Sequence, residues 1–89
     1  MQRRTCHFTG DVQGVGFRYT AHHLAMQYDV RGYVRNLPDG RVEVVTEGPD
    51  DQMDKLLAGL QERMGAYIRD TEVRASPATG EFSGFSIRH

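Results

Sequence analysis

The chain has 89 residues, 11 basic and 12 acidic side chains, a net charge of −1 and a mean hydropathy of −0.58. That length supports one domain, residues 1–89, with a single core between a sheet and a layer of helices. The near-neutral charge gives no general attraction for nucleic acid or an anionic membrane, so any anion affinity must be local. The N-terminus, Met1 to Thr5, has no apolar stretch behind its basic pair, and no window approaches a membrane span. A soluble cytoplasmic monomer is therefore expected. The single cysteine, Cys6, excludes an intrachain disulfide and reads as a buried structural thiol.

In chain order, residues 3–9 alternate with Cys6 and Phe8 on one face, as in a half-buried strand. Phe17, Ala21, Leu24, Ala25 and Tyr28 then form one helical stripe over 17–28, with Arg18 beside it in the first turn. Residues 30–36 and 41–47 are valine-rich strands joined by the turn Leu37-Pro38-Asp39-Gly40. Pro49-Asp50-Asp51 opens a second helix, its aspartates predicted to cap the free N–H groups. Met53, Leu56, Leu57, Leu60 and Met64 make its stripe, with Arg63 and Gly65 as C-terminal signals. Residues 67–75 and 82–87 read as strands separated by Ser76 to Gly80. The order β-α-β-β-α-β, with a last piece of strand, predicts an α+β ferredoxin-like sandwich. Its sheet is expected to be antiparallel, with two helices on one face and a short extra C-terminal strand.

Chemistry concentrates in residues 10–18, Gly-Asp-Val-Gln-Gly-Val-Gly-Phe-Arg, a glycine-punctuated loop that ends where the first helix begins. Glycines at 10, 14 and 16 allow backbone conformations in which successive N–H groups point into one concavity, an anion-binding arrangement. The following helix adds its free first-turn donors, and Arg18 adds a planar fork that matches two phosphate oxygens. No lysine follows these glycines as a P-loop requires, and Tyr19 stands where a dinucleotide fingerprint needs its third glycine. Nucleotide binding is not indicated. On the residues alone, the loop reads either as a phosphate cradle or as an ordinary glycine-rich turn.

The two helix-linked strands, the first and second, should run parallel with one strand between them, so that their C-terminal ends share a sheet edge about 10 Å apart. Arg18 and Asn36 would then face a common anion. Taken by itself, Asn36 reads either as a hairpin turn former or as a functional amide. The histidines, His7, His22, His23 and His89, have no companions at metal-ligand spacing, and His22 and His23 point to different helix faces. Asp11, Glu43 and Glu47 read as turn and sheet-surface residues.

The strings Val-Gln-Gly-Val-Gly-Phe-Arg at 12–18, Arg-Gly-Tyr-Val-Arg-Asn at 31–36 and Asp-Gly-Arg-Val-Glu-Val at 39–44 closely resemble the acylphosphatase family. The resemblance runs from the first strand to Phe85-Ser86-Ile87. It departs at Met64-Gly65-Ala66-Tyr67, where many members carry a Gly-Pro pair before the fourth strand. The resemblance implies hydrolysis of small-molecule acyl phosphates to a carboxylate and inorganic phosphate, with no metal or organic cofactor. It assigns Arg18 to the phosphoryl group and Asn36 to the attacking water. Val12, Gln13, Gly14, Val15, Gly16, Phe17 and Arg18 would form the phosphate-binding loop through their backbone.

Two other readings compete. An RNA-binding module of the same fold class would need aromatic platforms, but Val34 and Arg35 interrupt the string that Arg31-Gly32-Tyr33 begins. A non-catalytic phosphate- or carbamoyl-phosphate-binding module, as found in larger maturation factors, would be expected to lose Arg18 or Asn36. This chain keeps both.

Overall fold

The computed structural model describes all 89 residues. Strand β1 (Gln2–Gly10) leads through the glycine loop into helix α1 (Phe17–Ala25), followed by β2 (Arg31–Asn36) and β3 (Val42–Gly48). Helix α2 (Asp50–Met64) passes through a 3-10 turn at Gly65–Tyr67 into β4 (Ile68–Pro77), and β5 (Phe85–Arg88) ends the fold. The five strands form one sheet in the order β4-β1-β3-β2-β5. This is the predicted α+β ferredoxin-like sandwich. Its four-stranded body is antiparallel, as expected, while β5 joins the edge parallel to β2, which makes the whole sheet mixed.

One face of the sheet is apolar because alternate strand residues share a side. Cys6, Phe8, Val34, Val42 and Val44 from that face meet Phe17, Ala21 and Leu24 of α1 and Met53, Leu56, Leu60 and Met64 of α2 in a single core. The stripes read from the sequence are thus the faces the helices bury. Burial pushes the Cys6 thiol up to about 11, so it is a protonated packing group at neutral pH.

The helix boundaries depart from expectation in three places. Helix α1 stops at Ala25 rather than Tyr28; Met26 caps it, donating its N–H to His22 O at 3.1 Å, and the chain turns through residues 27–29. The N-cap of α2 is Pro49, and no side chain caps it. Asp50 and Asp51 instead place negative charge in the first turn, where it opposes the positive end of the helix dipole. Gly65 keeps a right-handed conformation, φ −55° and ψ −33°, so α2 tightens into the 3-10 turn instead of ending on a left-handed glycine.

The opposite sheet face corrects the reading of Glu43 and Glu47 as surface residues, because both are buried. Glu43 accepts hydrogen bonds from Tyr33 Oη at 2.8 Å and Arg35 Nε at 2.9 Å, and pairs with His7 Nε2 at 2.8 Å. Burial pushes its carboxyl up, but these partners outweigh that and hold it below the usual carboxylate range. Glu47 is enclosed by the segment that joins β4 to β5. It accepts from Thr79 N and Gly80 N at 3.0 Å each and from Arg3 Nε at 2.8 Å. Phe82 of the same segment packs edge-on against Tyr33, with ring centroids 5.9 Å apart.

Burial also raises the Glu47 pKa, but the donors win and lower it from 4.5 to about 2. A carboxylate with a folded pKa below its unfolded one stabilises above the unfolded value, and that contribution is lost as pH falls from 4.5 toward 2. Glu47→Ala leaves the Thr79 and Gly80 N–H groups without an acceptor and costs Arg3 its Nε partner, while Arg3 keeps Glu81 and Thr79 Oγ1. With two backbone donors left unsatisfied, the expected cost is about 3 kcal/mol at neutral pH, a fall in melting temperature of roughly 12–24 °C for a domain of this size. Thermal melts from pH 7 to pH 2 check this: the two proteins should converge in acid, and parallel curves would show that Glu47 contributes no such term.

Candidate active site

Strands β1 and β2 are both antiparallel to β3, so they run in the same direction with β3 between them. Their C-terminal ends, Gly10 and Asn36, therefore share one edge of the sheet, as the topology predicts. The glycine loop starts there. Between them lies an open cleft of about 250 Å³ lined by Val12, Gly14, Gly16, Phe17, Arg18, Tyr19 and Asn36.

Two features shape the loop. Gly14 and Gly16 have φ of 78° and 81°, the left-handed region that disfavours a Cβ, and Gly16 is the N-cap of α1. Gln13 anchors the loop from the other side: its Nε2 donates to Leu37 O at 2.8 Å and Arg41 O at 3.0 Å, tying it to the β2–β3 hairpin. The backbone N–H groups of residues 12–19 have no backbone acceptor. The first to find one is that of Thr20, which donates to Gly16 O at 3.0 Å. A run of free donors at a helix N-terminus is suited to an anion.

The cleft holds one guanidinium and one amide. Arg18 forms no ion pair within the protein; its Nη1 meets only His89 Nδ1, at 3.2 Å. The Oδ1 of Asn36 is buried and without a hydrogen-bond partner. Leaving such an acceptor unmet costs on the order of 1–3 kcal/mol.

Of the residues singled out in the sequence, Val12, Gly14, Gly16, Phe17, Arg18 and Asn36 come together at the cleft. Val12 and Phe17 are buried and belong to the core as well as to the cleft wall. Gln13 and Val15 do not line it: Gln13 serves as the hairpin tie, and Val15 packs against the core. Two residues escape the sequence reading, Tyr19 in the cleft lining and His89 through its contact with Arg18. Tyr19 is an aromatic off the apolar stripe, a signal the periodicity did contain. His89 carries no local signal, because its position depends on β5 running parallel to β2, with Arg35 opposite Arg88. His22 leans on Phe85, ring centroids 6.4 Å apart, and His23 is exposed; neither lines the cleft. No three His, Cys, Asp or Glu side chains are grouped to share a metal ion, and no helix is long and apolar enough to cross a membrane.

A small α+β sandwich with a glycine loop, an unpaired arginine and an orphaned amide oxygen at one edge matches known proteins along its whole length. The sequence model of the acylphosphatase family matches residues 4–87. An acylphosphatase from Methylococcus capsulatus is 44% identical over 81 residues, covering 88% of this chain and 86% of that protein. One from Paenarthrobacter aurescens is 41% identical over 86 residues, covering 96% and 92%. The crystal structure of acylphosphatase from Bacillus subtilis superposes with a TM-score of 0.91 at 31% identity, covering all of both chains. The chain belongs to the acylphosphatase family.

Proposed function

We propose that this protein is an acylphosphatase that hydrolyses the carboxyl–phosphate bond of small acyl phosphates, releasing a carboxylate and inorganic phosphate. The free N–H groups of the loop over residues 12–17 and the Arg18 guanidinium hold the phosphoryl oxygens. Asn36 Oδ1 accepts a hydrogen bond from a water and aims it at phosphorus, in line with the departing carboxylate. Phosphoryl transfer asks a protein chiefly for positioning and charge stabilisation, and a carboxylate leaves without needing a proton. The proton of the attacking water ends on the released phosphate or in solvent. Family membership and the cleft's composition support this reading, and the observation that carries it is the buried, unpartnered Asn36 Oδ1 beside a loop of free N–H donors. No cofactor is needed for these steps. Action as a cytoplasmic monomer fits the single buried thiol, which offers neither a disulfide nor an exposed nucleophile.

The test is phosphate release from benzoyl phosphate by wild type and Asn36→Ala, each with and without chelator. Wild type should turn over at the same rate in chelator. The variant should lose roughly 10²-fold in kcat, the scale of a misplaced reactant, while inhibition by inorganic phosphate stays within about 3-fold, since water positioning adds little to ground-state binding. Loss of phosphate affinity in the variant would make Asn36 a phosphate ligand instead. Wild type that binds phosphate without turnover would favour the non-catalytic module.

A further inference from the structure

The phosphoryl end of an acyl phosphate accounts for the loop, Arg18 and Asn36, but it leaves one lining residue unused. Tyr19 is 71% exposed, although large aromatics are ordinarily covered. It makes no aromatic pair or hydrogen bond within the protein, and it lies off the stripe through which Phe17 and Ala21 enter the core. No fold requirement explains an aromatic there. The other apolar residues lining the cleft, Val12 and Phe17, put their side chains into the core and offer an acyl group no apolar surface. Met26 is as exposed as Tyr19, but it stands seven residues along the helix, about 10 Å further on at 1.5 Å per residue, and does not line the cleft.

Tyr19 directly follows Arg18 at the start of α1. A substrate whose phosphoryl oxygens are fixed by Arg18 must send its acyl group out through the cleft mouth, where this ring is the one exposed apolar surface. His89, on Arg18, marks a polar neighbour.

Resting on the acyl phosphate reading above, we propose that Tyr19 is the acyl-recognition residue of the site, and that it selects aromatic acyl phosphates over short aliphatic ones by ring contact. The contact lies away from phosphorus and is the same in ground and transition states, so it acts on KM rather than kcat. An aromatic pair of this kind gives roughly a 3- to 10-fold preference.

The experiment measures kcat/KM for benzoyl phosphate and acetyl phosphate with wild type, Tyr19→Phe and Tyr19→Ala. Taking the ratio of the two substrates in each protein cancels any general effect of the substitution. In Tyr19→Ala the benzoyl-to-acetyl ratio should fall about 3- to 10-fold, through a higher KM for benzoyl phosphate. Tyr19→Phe should keep the ratio within about 2-fold of wild type, because the ring and not the hydroxyl makes the contact. A ratio unchanged in Tyr19→Ala, or a phenylalanine variant as impaired as the alanine one, overturns the proposal while leaving acylphosphatase activity intact. Wild type that hydrolyses neither substrate would instead fail the functional reading itself, so the two failures are told apart.

Discussion

Replacing Arg18 with lysine is expected to be nearly as damaging as replacing it with alanine, each lowering kcat/KM by roughly 10²- to 10³-fold, the effect of losing one positioned charge-stabilising donor. Lysine keeps the charge but presents it as a compact, strongly hydrated point, whereas the guanidinium offers a planar fork that meets two phosphoryl oxygens together. The surroundings of Arg18 sharpen the test. It has no carboxylate partner, and its one side-chain hydrogen bond is the exposed one with His89 Nδ1. Neither substitution therefore breaks a buried pair, and both variants should melt near the wild-type temperature. Inhibition by inorganic phosphate should weaken in step with turnover, because in the proposed mechanism the same fork holds the product. A lysine variant with wild-type turnover and phosphate affinity would show that the planar fork of Arg18 is not what the site uses.

The parts of this molecule that were legible in its sequence are those set by local periodicity. The buried residues of α1 and α2 fall on the apolar stripes, and the strand order follows from two βαβ-type crossovers joined by a short hairpin. The loop was legible too, because free N–H groups at a helix start are a consequence of glycine spacing and of helix termini in general. What escaped depends on contacts distant in the chain. A glutamate within a strand reads as solvent-facing, yet Glu47 is satisfied by Arg3, 44 residues before it, and by Thr79, 32 residues after it. The direction of β5, and with it the arrival of His89 at Arg18, depends on how residues 78–84 cross the sheet, which no period of 2 or 3.6 encodes. Asn36 was ambiguous for a different reason: an asparagine closing a strand before a hairpin serves a turn as readily as a substrate. What the structure adds is that its Oδ1 is buried and without a hydrogen-bond partner, which supports the functional reading.

Ordinary phosphate monoesters should be very poor substrates, and leaving-group chemistry sets the size of the gap. The carboxylate expelled from an acyl phosphate is the base of an acid with pKa about 4, whereas the phenolate from a tyrosine phosphate belongs to one near 10. At about 1.4 kcal/mol for each pKa unit, full sensitivity to the leaving group separates the barriers by roughly 8 kcal/mol. Alkyl phosphates should be slower still. Enzymes that cleave monoesters offset this with a positioned acid or a metal ion. The cleft residues here are the loop, Arg18, Tyr19 and Asn36, and no group of side chains is placed to share a metal. His22 and His23 lie outside the cleft, so His22→Ala and His23→Ala should both retain acyl phosphate hydrolysis. His89 is the one histidine that reaches a cleft residue, through Arg18. It provides the sharper control, because His89→Ala should leave the discrimination in place if no histidine protonates the leaving group. The check is kcat/KM for benzoyl phosphate against a tyrosine phosphate peptide in wild type and the three variants. Comparable values in wild type, or a discrimination that changes when His89 is removed, would mean that a general acid operates at this cleft and that the unassisted departure of a carboxylate is the wrong mechanism.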